Sequence, residues 1–337
     1  MEKKMYDVKG FIMQLNNMLI GKKLNLATRV ADMPILWFGH IEEEEDNLIP
    51  GRTRKIAECE VHVECPFVLK HVGHPIIGSY DVYLDEKGNR VDLEKSGMKT
   101  LFNVRAEQIP ALELIVQDIS YHPVLGLTIH FQDQYSLTLN HDSRLMTDFW
   151  CLKEKDQKFI FINNDLEFDC AATKPIESLE PAGNDHPSAG EFQKLEGKEL
   201  KRIKLFENGD LILFLGEDIP WMNEQGQKRK TTCYTLRIFM PFRMLDQNGI
   251  LWGSRDYLYY NSEYTLDERF KGGELDQMTR VFVGKNRICV RTITVTKANE
   301  IRIYFSNGTV FQTLPHSSSP DLMWWELRDN GSSKRYD

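Results

Sequence analysis

The 337-residue chain has no apolar run approaching the roughly 18 residues that a bilayer-spanning helix needs. Its first segment, MEKKMYDVKGFIMQLNNMLIGKK, breaks its apolar residues with Asp7, Lys9, Gln14 and Asn16, so the apolar stretch of a signal peptide is missing too. Cysteine is sparse, with six residues at scattered spacings and no C-x-x-C pair. That excludes a disulfide framework and fits reduced thiols in a cytosolic protein. A basic stripe is also lacking. Residues 1–176 carry 27 acidic and 20 basic side chains, residues 177–337 carry 23 and 22, and the net charge is −8. Proteins that live on phosphate contacts show a basic face, so nucleic acid is not expected as a partner. There is no Walker A sequence, no G-x-G-x-x-G after a strand, no H-E-x-x-H, no EF-hand loop and no G-x-S-x-G elbow. The expectation is a cytoplasmic protein with no membrane segment, no cofactor, no metal and no catalytic residue that can be named.

What is present is repetition. Pro66-Phe67, Gly78-Ser79 and Asp81 fall without a gap on Pro241-Phe242, Gly253-Ser254 and Asp256. VQDISYHPVLGLTIHF (116–131) lies over VRTITVTKANEIRIYF (290–305). After a one-residue insertion His141 and Ser143 meet His316 and Ser318, and Phe149-Trp150 meets Trp324-Trp325. Gly21-x-x-Leu24 before ILWFG mirrors Gly197-x-x-Leu200 before LILFLG. The order of blocks is the same in both halves, which reads as one module written twice. Residues 1–170 form the first β-rich repeat, 171–190 a Pro/Gly/Ala linker, and 191–337 the second repeat. Within each copy the dominant period is two, the strand signal, with tight-turn pairs at Asn208-Gly209 and Asn307-Gly308. KFIFINNDLEF (158–168) reads as a strand pair added to the first copy, and DNGSSKRYD as a frayed tail of the second. Helical character is confined to 9–20, 104–110 and 262–278. The fold class is therefore mainly β (α+β): two tandem homologous antiparallel domains, each a roll, barrel or sandwich, related by a pseudo-twofold.

Several clusters invite a chemical reading. Cys59-x-x-His62-x-x-Cys65 with His71 and His74 holds five zinc-ligand types, but on a strand Cys59 and Cys65 share one face and His62 takes the other. Packed thiols and surface imidazoles are the better reading. The run Glu42-Glu43-Glu44-Glu45-Asp46 reads as a solvated loop and, functionally, as an electrostatic docking surface for a basic protein. The matching stretch of the second copy carries Trp221-Met222 instead. Asp81 and Asp256 of the repeated Gly-Ser-x-Asp read as acceptors for nearby backbone donors beside a strand-end glycine. His141 and His316 read as loop-fixing imidazoles or as pocket walls. Of adjacent Trp324 and Trp325, alternation leaves one exposed, a suitable interface anchor.

The strand–Pro-Phe–Gly-Ser-x-Asp core with its closing aromatic segment resembles a family of small bacterial β-rich proteins with a CPWRI…GS-x-D core and no established activity. Here the core is Cys65-Pro66-Phe67-Val68 and Met240-Pro241-Phe242-Arg243, so the arginine of that pattern survives only in the second copy. In general character the resemblance is to immunity proteins that neutralise bacterial toxins. The first expectation is thus a cytosolic protein-binding module of the immunity type. Its surface comprises Glu42 to Glu45, Trp221 and Trp324. The alternative is a protein that binds or sequesters a small molecule between the repeats, near Asp81, His141, Asp256 and His316. A hydrolase built on those aspartates or histidines ranks third.

Overall fold

The computed structural model describes residues 5–45, 51–91, 99–143, 149–155, 159–162, 167–168, 184–206, 210–222, 228–247, 249–256, 287–319, 322–332 and 334–336. The chain divides into two units. Unit 1 comprises Met1–His141, Met146–Thr173 and His316–Leu322; unit 2 comprises Asp142–Leu145, Lys174–Pro315 and Met323–Asp337. Each unit therefore includes a short segment taken from the other half of the sequence.

The strands of unit 1 are β1 (Met5–Tyr6), β2 (Leu24–Val30), β3 (Met33–Glu45), β4 (Thr53–Val63), β5 (Phe67–His71), β6 (His74–Gly78), β7 (Val116–His122), β8 (Gly126–Phe131), β9 (Tyr135–Asn140), β10 (Trp150–Glu154), β11 (Phe159–Ile162) and β12 (Glu167–Phe168). Those of unit 2 are β13 (Leu200–Leu205), β14 (Leu211–Met222), β15 (Lys228–Ile238), β16 (Phe242–Asp246), β17 (Gly249–Gly253), β18 (Val290–Val295), β19 (Ile301–Phe305), β20 (Val310–Thr313), β21 (Trp325–Asp329) and β22 (Lys334–Tyr336). Unit 1 holds two antiparallel five-stranded sheets, β11-β10-β4-β3-β2 and β6-β5-β9-β8-β7; unit 2 holds β13-β14-β15-β21-β22 and β17-β16-β20-β19-β18. The fold is mainly β, as the period-two patterning predicts. Among the described residues no sheet closes on itself into a barrel.

The two units repeat one strand order and its irregularities. Register shifts at Leu24/Leu26, Phe38/Ile41, Leu69/Lys70 and Val116/Asp118 have counterparts at Leu200/Arg202, Leu215/Asp218, Met244/Leu245 and Val290/Thr292. The second shift is a bulge with a glycine in the left-handed region, Gly39 (φ 78°) or Gly216 (φ 85°). The two bulge amides bond alike, Gly39 to the Lys23 carbonyl and Gly216 to that of Glu199.

In unit 1 helix α1 (Val8–Leu19) starts where Asp7 accepts from the amides of Lys9 and Gly10. Its Val8, Phe11, Leu15, Met18 and Leu19 recur at helical spacing and join the inward residues of both sheets in one core. Phe11 meets Tyr121 edge-on at 4.9 Å. Helix α2 (Leu101–Ala106) begins earlier than the pattern at 104–110 predicts, because Thr100 and Asn103 cap it reciprocally. In unit 2 the short α3 (Ala189–Phe192) places Phe192 edge-on to Trp325 at 4.8 Å.

Several local expectations are corrected. Of the strand pair expected at 158–168, the two described strands pair elsewhere, β11 with β10 and β12 in parallel with β1. The polar tail is not wholly frayed, since β22 pairs with β21. Trp324 and Trp325 are both buried, because β21 begins at Trp325 and strand alternation does not reach Trp324. The expected helix at 262–278, the turn at Asn208-Gly209, Asp46 and residues 171–183 of the linker lie outside the described residues. The Asn307-Gly308 turn joins β19 to β20 as expected, with Asn307 Oδ1 accepting from the Thr309 amide.

Candidate functional site

The repeated Gly-Ser-x-Asp builds one kind of receptor in each unit. In unit 1 β6 ends at Gly78, and Asp81 folds back so that its carboxylate accepts from the Gly78 amide at 2.9 Å. That much is the local role its spacing predicts. The same carboxylate also accepts from the Ser317 hydroxyl, the Ser318 amide at 2.9 Å and the Ser318 hydroxyl at 2.8 Å. A Cβ on Gly78 would lie 2.2 Å from the His316 carbonyl oxygen, so this backbone approach requires glycine. The His316 carbonyl accepts from the Tyr80 amide at 2.8 Å, and its ring lies 4.9 Å from that of Tyr80.

Asp81 is fully buried, and burial pushes its carboxyl above the usual range although the serine and glycine donors act the other way. Burial also pushes the His316 imidazole down to about 3, so it is neutral at pH 7.

Unit 2 repeats the receptor with a different filling. The Asp256 carboxylate accepts from the Gly253 amide at 2.7 Å and from the Ser143 hydroxyl. A Cβ on Gly253 would lie 1.9 Å from the Asp142 carbonyl oxygen. Asp142, fully buried, accepts from Ser254 Oγ at 3.0 Å and from Arg255 Nε at 2.7 Å. By these contacts Asp142 corresponds to His316 and Ser143 to Ser317. The sequence match of His141 with His316 is thus out of register by one residue, and the insertion falls after the loop. His141 has a separate setting in unit 1, where its Nδ1 lies 3.0 Å from the Pro123 carbonyl and its ring stacks on Phe149 at 4.1 Å.

The acidic run is a strand and not a loop. Glu42 to Glu45 close β3 and stand opposite Ile56, Lys55, Arg54 and Thr53 of β4, so cross-strand cations relieve the repulsion. Lys155 bonds Glu42 and reaches Glu44 at 3.4 Å, which holds the Glu42 carboxyl below its usual range. β2 pairs with β3 only as far as Phe38, and β10 with β4 only from Cys59. Residues 41–45 and 53–57 therefore continue as a two-stranded ribbon, exposed or half-exposed on both faces except at Ala57. Unit 2 has the equivalent ribbon, Asp218–Met222 against Lys228–Thr232, past the point where β13 and β21 stop pairing. There Trp221, 50% exposed, stands opposite Arg229, and Pro220 opposite Lys230. Proline fits because, among the described residues, this stretch of β14 pairs with β15 alone.

The structure thus gathers Asp81 and His316 in one cluster of unit 1 and places Asp256 in the matching cluster of unit 2. Glu42 to Glu45 and Trp221 are on the ribbons, and Trp324 is in the core. The residues around Cys59 do not assemble. Cys59 is buried, donates to the Met18 carbonyl, and its thiol is pushed up to about 11. His62 pairs with Glu60 and His71 stacks on Tyr135. Among the described residues no three His, Cys, Asp or Glu side chains are grouped to hold a metal, and no helix is long and apolar enough to cross a membrane.

A buried polar chain in unit 2 has no sequence signal beyond Arg243. Arg243 donates through Nε and Nη2 to Gln312 Oε1, and Gln312 Nε2 donates to Glu300, which Arg302 also reaches at 2.5 Å. In unit 1 the strand neighbours at the Arg243–Gln312 position are Val68 and Thr138.

No family model matches the sequence, and no curated protein matches it. One solved structure, that of MPT-4, a mannose phosphorylase from Leishmania mexicana, in complex with phosphate ion, aligns over 85% of this chain and 65% of its own. The identity is 9% and the TM-score 0.10, a likeness that carries no argument.

Proposed function

We propose that the protein is a protein-binding module that engages its partner through the β-ribbons, in the manner of an immunity protein on a toxin. The observation that supports this is the pair of ribbons running beyond their sheets. A two-stranded ribbon exposed on both faces orders its backbone with little apolar burial in return. Among the described residues each ribbon strand pairs with its ribbon neighbour alone, and a strand edge of this kind is where an incoming strand can add. The unit 1 ribbon adds carboxylates that speed encounter with a cationic surface, while Trp221 on the unit 2 ribbon is a residue type that anchors interfaces. The clamped aspartates spend their hydrogen-bonding capacity inside the fold, which favours binding over hydrolysis. The shared strand order and the four matched register shifts support reading the chain as one module written twice.

The test is affinity capture with the intact chain from lysate of its source, read by mass spectrometry, beside a Glu43→Lys/Glu45→Lys variant. The expected result is a stoichiometric partner with basic surface residues, released at high salt and lost by the variant. Undiminished capture by the variant removes the acidic ribbon from the interface.

A further inference from the structure

We propose that Tyr80 with His316, and Arg255 with Asp142, are the specificity determinants of a reciprocal loop exchange, in which each unit is closed by a loop from the other half of the chain and accepts only that loop.

The shared parts of the two receptors fix position. Gly78 and Gly253 leave room for a carbonyl that no Cβ would allow. Asp81 and Asp256 each hold a loop serine, Ser317 and Ser143 respectively. These parts are chemically the same in both units, so by themselves they would take either loop. Among the described residues, selection rests on the position where the receptors and the loops both differ.

In unit 2 the receptor residue is Arg255, whose guanidinium meets the buried Asp142 carboxylate, itself held by Ser254. In unit 1 the receptor residue is Tyr80, and the loop offers the buried aromatic ring of His316. Interchange would set Asp142 against Tyr80, a buried carboxylate with no cation. It would equally set the neutral His316 against Arg255, a largely buried cation deprived of the Asp142 carboxylate. Leaving one member of a buried ion pair alone is among the costliest single errors a fold can make. The matched pairs therefore act as a two-letter code.

The test is a pair of double-mutant cycles on the full chain, read by peptide-resolved hydrogen exchange over 78–81 with 316–319 and over 253–256 with 142–143. His316→Asp is expected to lower protection at the unit 1 receptor by about 100-fold or more, and Tyr80→Arg added to it to restore most of that loss. Asp142→His is expected to do the same at the unit 2 receptor, with Arg255→Tyr as its rescue. The two cycles are independent, so if one parent variant does not fold the other still decides. Rescue in either cycle, beyond the sum of the single effects, supports the code. Strict additivity in both, or native protection in both parent variants, overturns it.

Discussion

Asp81 is the residue on which unit 1 depends most visibly. Removing its carboxylate leaves buried serine hydroxyls and amides without their acceptor. Asp81→Ala is therefore expected to cost about 2–4 kcal/mol, to be read from the urea midpoint. Asp81→Asn, which keeps one carbonyl acceptor, is expected to cost less. His316 in the same cluster carries a pH dependence of known sign. Its folded value, about 3, lies below the ordinary 6.5 of an unfolded chain, so the unfolded state binds the extra proton between those limits. The stabilising contribution of the neutral ring is complete above pH 6.5 and is lost as pH falls from there toward 3. Asp81 has the opposite sign, because a carboxyl pushed up by burial favours folding at low pH and loses that contribution as pH rises. Comparing urea midpoints at pH 7 and pH 5 for the natural chain and for His316→Gln isolates the histidine. The expected outcome is a flatter acid limb in the variant.

At the scale of elements, the ribbons and the sheets answer to different forces. Sheet strands are held by alternate burial, and ribbon strands chiefly by cross-strand pairing, with Lys155 added at Glu42 and Glu44. Trp221→Ala is thus expected to leave thermal stability within about 0.5 kcal/mol of the natural chain. If it instead lowers stability by several times that amount in a melting experiment, the indole is part of a packed core. This division also explains what was legible in the sequence. The sheets were, because Leu211, Leu213 and Leu215, or Leu137 and Leu139, alternate along one face, and α1 was, because Phe11, Leu15 and Met18 keep helical spacing. The acidic ribbon was not, since Glu42 to Glu45 show no alternation and their partners Arg54 and Lys55 lie further along the chain with no sequence mark of the pairing. The receptors were half legible. The bond from Gly78 to Asp81 spans three residues, whereas Ser317 is 236 residues away from the carboxylate it caps. The same distance hid the register of the loops. An offset fitted to the histidines placed His141 on His316, while the contacts place Asp142 there. Arg243 stood out only as a departure from Val68, and its companions Gln312 and Glu300 had no mark at all.

For the whole molecule, the notable feature is how the chain is apportioned. It passes from one unit to the other at 141/142, 145/146, 173/174, 315/316 and 322/323. In most two-domain chains the first domain can finish folding while the second is still being made, at about 5–20 residues per second. Here the carboxylate of Asp81 waits for Ser317, and Gly78 and Tyr80 wait for His316. A growing chain that has just completed β12 has every described strand of unit 1 and still lacks the loop that caps Asp81. At those elongation rates roughly 7–30 seconds separate the last strand of that unit from its closure. For that interval Asp81 lacks the Ser317 and Ser318 donors that satisfy its carboxylate in the finished fold.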